Sequence, residues 1–596
     1  MVFYQFINFL GEVLNLRKTK IICTIGPASD SEEMLKKMIL GGMNVARLNF
    51  SHETHEKGKI KIDLIKKLRK ELNMPVAILL DTRGPEIRTM QVENESVILT
   101  EGNEFTLTTE EILGNEERVS VTYKNLPANL SKGDIIMLDD GLMELRVEYT
   151  TEKDIVCKVI TGGVLKHRRG VNIPGVSIDM PYIDEKDRND IMFGIENDVD
   201  FIALSFVRTA KDIREVQHIL NVKNAYNNIE LIAKIENAEG VKNIDDIIAA
   251  SNGIMVARGD MGVEIPFEEL PHIQKQIITA CYSAGKKVIT ATELLDSMIT
   301  RARPTRAEIT DIANAIYDGT SALMLSGETA IGQYPLRSLE TMSKIAEKTE
   351  SEIDYSQYTA KKNALSNLEV NITNAISHAT CNTAHDLGAA AIIAITLRGA
   401  SARMISRFRP ETPIIAVTPY EKTYMQLALS WGVTPVMNSF IENTNELIGD
   451  AIARVTETGL LKDGDLTVIT GSTQESSGAT NTLQVHIIGD ILLRGAGNGF
   501  DEVSERVSVI KNEEKDIANF IPGSILVVSR TTNGILRLMR QCSGVITEES
   551  EIDSGIVAAG YALEIPVISS AERATSILVT GSKVRIDAKK GYIYNN

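Results

Sequence analysis

The sequence predicts an α/β protein built on a (β/α)8 barrel, with an inserted all-β lid domain, a C-terminal α/β domain and an additional small α/β tail domain. Three observations lead to this prediction. Eight short, β-branched apolar runs alternate with stretches of helical period, as in parallel sheets. The helical period is lost in one long insertion after the third run. Beyond the eighth run, the strand and helix pattern restarts twice.

The eight apolar runs are the number that closes a (β/α)8 barrel. We predict its strands at residues 19–26, 43–50, 76–81, 199–206, 229–236, 253–260, 286–292 and 321–328. These strands assign residues 18–88 and 182–350 to the catalytic barrel. The insertion, residues 89–181, has the alternating period of β-strands and Gly-Asp and Asp-Gly turns. Because it follows a strand end, where barrel active sites lie, we predict a lid over the site.

The remaining boundaries follow from composition and period. Residues 1–17 form an N-terminal extension with an apolar stripe, which predicts a short packing helix, with attachment to a membrane surface as the weaker alternative. Residues 351–493 have the period of an α/β domain. Residues 494–516 are rich in glycine and charge and predict a linker. Residues 517–596 predict a last small α/β domain.

Charge and composition exclude several classes of function. The chain has 80 acidic and 63 basic side chains, a net charge of −17, which argues against bulk nucleic-acid binding. It has no apolar run long enough to span a membrane. Its five cysteines are scattered and form no metal-binding spacing. They predict buried thiols in a reducing compartment, and hence a cytoplasmic protein.

Residues that carry chemistry crowd the ends of the predicted strands, where a barrel enzyme needs them. These residues are Arg47, Asn49, Ser51, Asp81, Thr82, Glu86, Arg88, Lys234, Glu236, Asp260, Thr292 and Ser326. The histidines contribute little to this set. Only His52, beside Ser51, lies at a strand end, and we expect it to be structural.

The fifth and sixth strands end in a cation and two carboxylates. Lys234 and Glu236 are two residues apart on one strand, so their side chains point to the same face. Glu236 and Asp260 end adjacent strands and can offer oxygen ligands to one Mg²⁺ ion. Glycines on both sides of Asp260, one of them Gly259, allow the backbone to approach a ligand closely.

These residues belong to motifs that resemble the pyruvate kinase family. The motifs are TKIICTIGPAS, GMNVARLNFSH, DTRGPEIRT, KIEN, MVARGDMGVEIP and ATELLDSMITRARPTRAEITDIANAIYDGTSALMLSGETAIGQYP. They occur in the family's order and spacing, and the resemblance covers residues 18 to about 490. Two positions depart from the family. Glu293 stands where glutamine is usual, and Arg168-Arg169 where a lysine is common.

The resemblance implies transfer of a phosphoryl group from phosphoenolpyruvate to ADP. It implies the following roles. The catalytic residues are Lys234, Thr292, Arg47 and Ser326, and the substrate-binding residues Lys234, Gly259, Asp260 and Thr292. The nucleotide-binding residues are Arg47, Asn49, Arg88 and Arg169. The ligands are Glu236 and Asp260 for Mg²⁺ (or Mn²⁺), and Asn49, Ser51, Asp81 and Thr82 for K⁺. Glu86 matches the acidic motif associated with potassium dependence.

The resemblance also implies regulation and assembly. Thr396, Arg398, Gly399 and Ser401 lie in a loop that can bind a phosphorylated effector in this family, and residues 470–486 resemble the second wall of that pocket. The family is typically a homotetramer. The tail resembles the phosphohistidine domain of enzymes that use phosphoenolpyruvate, but Gly555 stands where the histidine would be. We therefore predict a structural or regulatory tail.

Two other functions remain open at this point. A metal-dependent lyase that acts on pyruvate or phosphoenolpyruvate would also use a Glu/Asp pair on a barrel. A catalytically silent effector-binding protein would keep the fold without the chemistry. Products separate the three hypotheses: a kinase gives pyruvate and ATP, a lyase gives pyruvate without ATP, and a binding protein gives neither.

Overall fold

The fold is described from a computed structural model, which covers residues 17–176, 178–355, 371–471, 480–489, 491–550 and 555–595. These residues form two compact units. The larger takes in the chain up to His385, with Ile393–Ala451 and Thr470–Thr482. The smaller takes in Asp386–Ile392, Ile452–Ile469 and the chain from Leu483 onward. Apart from Arg17, the predicted N-terminal helix lies outside the described residues.

The strands are numbered in chain order. The first barrel segment has β1 (Lys20–Thr24), β2 (Val45–Asn49) and β3 (Ala77–Asp81). The insertion has β4 (Ser96–Leu99), β5 (Glu104–Thr108), β6 (Arg118–Ser120), β7 (Ile135–Leu138), β8 (Met143–Thr150), β9 (Asp154–Thr161), β10 (Gly163–Lys166) and β11 (Val171–Asn172). The second barrel segment has β12 (Phe201–Leu204), β13 (Glu230–Ile235), β14 (Gly253–Ala257), β15 (Lys287–Ala291) and β16 (Ala322–Leu325). The remaining strands are β17 (Ala391–Ile395), β18 (Ile414–Thr418), β19 (Val433–Met437), β20 (Leu466–Gly471), β21 (Thr482–Ile487), β22 (Ile491–Arg494), β23 (Ala496–Gly497), β24 (Val503–Ile510), β25 (Ile525–Val528), β26 (Gly544–Thr547), β27 (Val567–Ser569), β28 (Lys583–Asp587) and β29 (Tyr592–Asn595).

The helices are numbered in the same way. Those up to the end of the barrel are α1 (Glu32–Leu40), α2 (His55–Glu71), α3 (Leu126–Asn129), α4 (Glu185–Glu196), α5 (Ala210–Val222), α6 (Ala238–Lys242), α7 (Ile244–Ala250), α8 (Arg258–Glu264), α9 (Leu270–Ala284), α10 (Arg306–Asp318), α11 (Gly327–Ala330) and α12 (Pro335–Ser351). Those beyond it are α13 (Ile372–Asp386), α14 (Ala400–Arg407), α15 (Glu421–Leu427), α16 (Thr444–Glu457), α17 (Glu513–Asp516), α18 (Asn533–Leu538), α19 (Gly555–Leu563) and α20 (Ala574–Ile577).

The predicted barrel is confirmed. Eight strands close in the order β1-β16-β15-β14-β13-β12-β3-β2, and every neighbouring pair is parallel. The strands are apolar on both faces because both faces are covered. Alternate residues such as Ile22, Phe201 and Met255 fill the barrel interior. Their neighbours pack against the surrounding helices.

Local sequence signals fix the helix ends beside the site. Helix α10 begins with a capping box, in which Thr305 and Glu308 each accept a hydrogen bond from the other's backbone N–H. It ends at Gly319, whose φ of 98° is a left-handed conformation that favours glycine. The next strand, β16, therefore starts at a defined residue, and Ser326 lies directly after it, at the carboxyl ends of the barrel strands.

The insertion is an all-β segment, as predicted, apart from the short helix α3 and a 3-10 turn at Glu93–Glu95. Strands β11-β7-β8-β9-β5-β6 form one sheet in that order, and β10 pairs with β4 in a second sheet. The buried side chains of these sheets form their own apolar cluster, which includes Phe105, Leu107 and Leu145. The chain leaves the barrel after β3 and returns just before α4, so the inserted sheets lie on the loop after the third barrel strand.

The C-terminal α/β segments are also confirmed. In the larger unit, β18 and β19 run parallel. In the smaller unit, eight strands form a sheet of order β22-β29-β28-β24-β25-β26-β27-β23, in which β24 to β27 are parallel neighbours. No helix in the described parts of the chain is long and apolar enough to cross a membrane.

The predicted linker at residues 494–516 is wrong. The segment contains β24, which pairs with β25 and β28 in the centre of the eight-stranded sheet, and the short helix α17. Glycine and charge dominate its composition, but the second half of β24 is buried. Tertiary pairing outweighs the local turn signals there. Of the tail segment aligned with the phosphohistidine motif, only Ser550 and Gly555 lie within the described residues.

Candidate active site

The carboxyl ends of neighbouring barrel strands bring the predicted residues together. Asn49 and Asp81 are register partners at the ends of β2 and β3. Lys234 lies near the end of β13, Glu236 follows that strand, and Asp260 lies in the first turn of α8, after β14. These positions follow from parallel strands that end at the same rim of the barrel.

Lys234 is the centre of a buried charge network. Its Nζ lies 3.0 Å from Oε1 of Glu236 and 3.2 Å from Oδ1 of Asp81. It also donates a hydrogen bond of 2.6 Å to Oγ of Ser205. Burial alone would lower the pKa of the lysine, but the carboxylates of Asp81 and Glu236 raise it above its usual value. Lys234 is therefore a permanently charged ammonium on a rigid strand.

Asp81 joins this lysine to Arg47. Nε of Arg47 lies 2.7 Å from Oδ2 of Asp81, and its Nη1 donates to Oγ1 of Thr24 over 2.9 Å. Burial would raise the pKa of Asp81, but the two cations, Lys234 and Arg47, hold it below its usual value. The Asp81 carboxylate is thus ionised and orients both cations.

Glu236 and Asp260 fit a divalent cation. Burial raises the pKa of Glu236 above its usual value, and the nearby Asp260 adds to this shift while Lys234 opposes it. The backbone N–H of Phe206 donates to Oε2 of Glu236 over 2.6 Å. Among the described residues Asp260 pairs with no cation, and no group of three metal-ligating side chains occurs. Two carboxylates, with other positions left to water and substrate oxygens, are the donor set that Mg²⁺ accepts.

Oxygen donors also gather around the ends of β2 and β3. The set is Asn49, Ser51, Asp81 and Thr82. Oδ1 of Asn49 accepts a hydrogen bond of 3.1 Å from the backbone N–H of Ser51. The backbone oxygen of Thr82 accepts a hydrogen bond of 2.7 Å from Oγ of Ser205. Amide, hydroxyl, carboxylate and carbonyl oxygens suit a hard monovalent cation such as K⁺.

Thr292 is held in a strained backbone conformation. Its φ is 65°, in the left-handed region that a β-branched residue rarely adopts, and Glu293 follows with a φ of 55°. Arg258 stabilises this turn: its Nη2 donates to the backbone oxygens of Thr292 (2.8 Å) and Glu293 (3.1 Å). Oγ1 of Thr292 accepts from the backbone N–H of Gly259 over 2.9 Å. Arg258 and the backbone of Gly259 thus hold the strained turn in place at the predicted reaction site.

Ser326 has a free hydroxyl at the end of β16. Its backbone N–H donates to Glu328 over 2.7 Å, and the same carboxylate accepts from the backbone N–H of Leu295 over 3.0 Å. Oγ of Ser326 is buried and makes no hydrogen bond within the described part of the chain. A buried hydroxyl without a partner is costly unless a water or ligand satisfies it.

Two cavities adjoin these residues. One, of about 560 Å³, lies between the barrel rim and the inserted β segment, and Glu86, Asp140 and Asp260 line it. Burial raises the pKa of Asp140, and Asp260 raises it further. The second cavity, of about 510 Å³, is lined by Asn49 and His52, among others. The site thus offers room for two ligands.

Arg88 and Arg169 lie on the path into and out of the inserted segment. Nε of Arg88 lies 2.9 Å from Glu86, and its Nη1 donates to the backbone oxygen of Arg168 over 2.9 Å. Nη1 of Arg169 lies 3.2 Å from Asp139. Neither makes an ion pair with Glu236 or Asp260 in the described residues.

The predicted effector loop joins β17 to α14. Gly399 precedes the helix with a φ of 81°, and the backbone oxygen of Arg398 accepts from Nη2 of Arg403 over 2.8 Å. Thr396 is buried, and Oγ of Ser401 accepts from Oγ1 of Thr480 over 2.8 Å. The loop therefore has a fixed shape. Residues 472–479 of the predicted second wall lie outside the described residues.

Sequence reasoning missed several residues of the site. Ser205 and Phe206 follow the fourth strand of the barrel, β12, and contact Lys234 and Glu236. Lys186 donates to the backbone oxygen of Phe50 over 2.6 Å. Burial lowers the pKa of His52, as do Arg88, Arg47 and Lys186, so these cations surround a residue expected to be structural. Polar residues at the end of the fourth strand were the signal for Ser205.

Comparison with known proteins identifies the family. The family models that match are the pyruvate kinase barrel domain (residues 16–339), the pyruvate kinase alpha/beta domain (374–486) and the mobile domain of PEP-utilising enzymes (520–591). The chain is 45% identical over 581 residues to a pyruvate kinase of Geobacillus stearothermophilus, covering 97% of this chain and 98% of that one. It is 45% identical over 582 residues to one of Staphylococcus saprophyticus, covering 97% and 99%.

A solved structure gives the same result. A pyruvate kinase from Cryptosporidium parvum superposes with a TM-score of 0.76 at 38% identity, covering 80% of this chain and 97% of that one. The pyruvate kinase barrel model covers every strand-end residue described above. The chain therefore belongs to the pyruvate kinase family and is an enzyme, a phosphotransferase.

Proposed function

We propose that the enzyme transfers the phosphoryl group of phosphoenolpyruvate to ADP, giving pyruvate and ATP. In this reaction the bond from phosphorus to the enol oxygen breaks and a bond to the terminal oxygen of ADP forms. The enolate of pyruvate then takes a proton at carbon. The observation that carries the proposal is the position of the Lys234 ammonium, which lies 3.0 Å from Glu236 at the carboxyl ends of the barrel strands.

Phosphoryl transfer needs positioning and positive charge more than covalent help. Lys234 is held by Asp81, Glu236 and Ser205, so its charge is fixed in space before substrate arrives. We propose that it neutralises charge on the phosphoryl group in transfer. Gly259 and Asp260, at the start of α8, and Thr292 would contact phosphoenolpyruvate beside it.

Glu236 and Asp260 would hold Mg²⁺ or Mn²⁺. When bound, the ion supplies a second positive charge for the oxygens of the substrate and of the transferring group. Asn49, Ser51, Asp81 and Thr82 would hold K⁺. The acidic Glu86, which lies at 2.9 Å from Arg88, supports a potassium requirement through the family motif it matches.

The nucleotide would occupy the cavity of about 510 Å³ beside Asn49. Arg47 lies two residues before Asn49 on strand β2. Arg88 and Arg169, on the lid connections, would contact phosphate oxygens when the lid segment, residues 89–181, covers the site. His52, which lines the same cavity and has three cations near it, is a further candidate for contact with nucleotide.

Thr292 and Ser326 would deliver the proton to the enolate. A threonine hydroxyl has no useful pKa for this step, so we expect Thr292 to orient a water. Its Oγ1 already donates to the backbone oxygen of Ala291 over 2.7 Å. The hydroxyl of Ser326 has the same limitation, but it has no hydrogen-bond partner among the described residues and so can relay a proton from a bound water.

Regulation and assembly are further proposals. Thr396, Arg398, Gly399 and Ser401, in an α/β domain of residues 351–493, would bind a phosphorylated effector at the start of α14. A homotetramer follows from the family. Residues 517–596 contain no histidine, which supports a structural or regulatory tail and not a phosphoryl carrier. The five cysteines are free and buried, which supports a cytoplasmic location.

A product assay tests the proposal. The enzyme is mixed with phosphoenolpyruvate, ADP and Mg²⁺, with and without K⁺, and pyruvate and ATP are measured together. We expect equal amounts of both, formed faster with K⁺ and abolished by chelation of the divalent ion. Pyruvate without ATP would favour the lyase instead, and no product would favour a silent binding protein. Family membership does not favour either alternative.

A further inference from the structure

Five cations surround a small buried cavity at the opposite end of the barrel from the active site. The cavity measures about 20 Å³ and lies among α9, the start of β15, α14 and the turn before β19. Its lining includes Lys286, Lys287, Arg403, Arg407 and Arg409. No carboxylate lines it within the described part of the chain. All of its lining residues belong to the larger unit.

Glu230 is an acidic residue that pairs with this cluster from outside the cavity. Glu230 pairs with Lys287 and, at 3.2 Å, with Nη1 of Arg403. Two of the other cations, Lys286 and Arg407, are held by neutral groups among the described residues. Lys286 donates to the backbone oxygen of Ser251 over 2.5 Å, and Nε of Arg407 to that of Tyr282 over 2.9 Å. The cluster therefore keeps a large excess of positive charge in a buried place, which is costly without an anion.

The pKa values of Lys286 and Lys287 reflect this excess of positive charge. Burial lowers the pKa of Lys286, and the charge of Arg403 lowers it further although Glu230 opposes the shift. Burial and the charge of Arg403 also lower the pKa of Lys287, and Glu230 opposes this shift as well. Each of these cations would be stabilised by an added negative charge.

A hydroxyl in the lining is without a partner. Ser430 is 2% exposed, and its Oγ makes no hydrogen bond within the described residues. Ser321 and Ser406 also line the cavity, but their hydroxyls are bonded to Arg409 (2.9 Å) and to the backbone of Trp431 (2.6 Å). Ser430 thus offers a hydrogen-bond donor to whatever fills the space.

The volume limits the ligand. About 20 Å³ of free space holds one water-sized particle. Phosphate and sulfate, with four oxygens around a central atom, are too large. We propose that this cavity is a binding site for a single monatomic anion, with chloride as the physiological ligand. The site is distinct from the proposed effector loop, although Arg403 contacts both.

Trp431 provides the test, because it is the only tryptophan of the chain and lines the cavity. The probe is bromide, a chloride analogue whose heavy atom quenches indole fluorescence on contact. Sodium bromide is titrated into the full-length enzyme in place of sodium gluconate, so that the ionic strength stays constant. We expect quenching that saturates and that chloride reverses. Quenching that rises linearly and ignores chloride would overturn the proposal and leave the cavity to water.

Two variants test whether the bromide that quenches Trp431 binds in this cavity. In Ser430→Ala the half-saturating bromide concentration should rise about tenfold, the effect of losing one hydrogen bond to a charged ligand. Ser377→Ala is the matched control, because Ser377 is also buried with a partnerless hydroxyl but does not line the cavity. An equal effect of both variants would contradict the assignment. If Ser430→Ala fails to fold, an anomalous bromide peak beside Ser430 in crystals of the unchanged enzyme decides, and its absence overturns the proposal.

Discussion

The ammonium of Lys234 donates to the hydroxyl of Ser205 over 2.6 Å, and that hydroxyl lies 3.2 Å from the same carboxylate oxygen of Asp81 that the lysine contacts. Ser205 is 2% exposed and follows β12, the strand between β3 and β13. It therefore joins three neighbouring strands through one side chain. We assign Ser205 as a positioning residue that holds Lys234 against the phosphoryl group.

Ser205→Ala should lower kcat about tenfold, because a hydrogen bond to a charged group contributes about 1.5–3 kcal/mol. The KM for phosphoenolpyruvate should change less, since the charge of Lys234 remains. Ser205→Thr keeps the hydroxyl and should restore part of the rate. Steady-state kinetics measure all three.

Ser251→Ala is the control for this prediction. Ser251 is also 2% exposed, but its hydroxyl makes no hydrogen bond in the described residues and it precedes β14, at the far end of the barrel. The positioning role is contradicted if both alanine variants lower kcat by the same factor.

Arg258→Met should lower kcat about tenfold. Arg258 is anchored by Asp311 at 2.7 Å and donates to the backbone oxygens of Thr292 and Glu293, so its loss releases the strained turn. Glu293→Gln is the matched control. The Glu293 side chain is exposed, so this change to the usual family residue should leave kcat within about twofold. A larger effect of Glu293→Gln than of Arg258→Met would refute the assignment.

Ser326→Ala should slow proton delivery more than substrate binding. The readout is exchange of the methyl hydrogens of pyruvate with D₂O, followed by NMR in the presence of Mg²⁺ and K⁺. Because a positioned proton donor contributes about 10² to 10⁴ in rate, we expect exchange to fall at least tenfold. The KM for phosphoenolpyruvate should stay within about twofold. Unchanged exchange would remove Ser326 from the proton path.

Asp187 gives a prediction for stability and pH. It is buried, its Oδ1 accepts from the backbone N–H of Gly84 over 3.1 Å, and burial raises its pKa to about 6. Between pH 4 and 6, roughly, the folded state then holds more protons at this position than the unfolded state. The contribution of Asp187 to stability therefore falls as pH rises through this window and stays low above it.

Asp187→Asn keeps an acceptor for Gly84 and removes the buried charge. We expect Tm to rise by about 2 °C or more at pH 8, and to change little at pH 4, where Asp187 is already neutral in the folded protein. Calorimetry at the two pH values measures the difference. A larger gain at pH 4 than at pH 8 would have the wrong sign for a raised pKa.

The sequence predicted the barrel and most of its rim because both rest on local patterns. Apolar runs such as those of β1 and β13 are buried on both faces, and Lys234, Glu236 and Asp260 follow from strand ends that meet at one edge. The contacts of Ser205 and Arg258 could not be predicted, since they depend on side chains from strands far apart in sequence. The sequence predicts a linker in place of the central strand β24, because the strands that pair with β24 lie outside its own segment.

The most direct test of the account is the rate and stoichiometry of the reaction in Lys234→Met, beside Lys20→Met. Lys20 is also a buried barrel lysine, but it lies at the amino end of β1 and donates to the backbone oxygen of Val433 over 2.8 Å. Pyruvate and ATP are measured together with phosphoenolpyruvate, ADP, Mg²⁺ and K⁺. The account predicts equal yields of both products, a fall of about 100-fold or more in kcat for Lys234→Met, and a kcat near that of the unchanged enzyme for Lys20→Met. Lys234→Met enzyme that retains most of its turnover would contradict it.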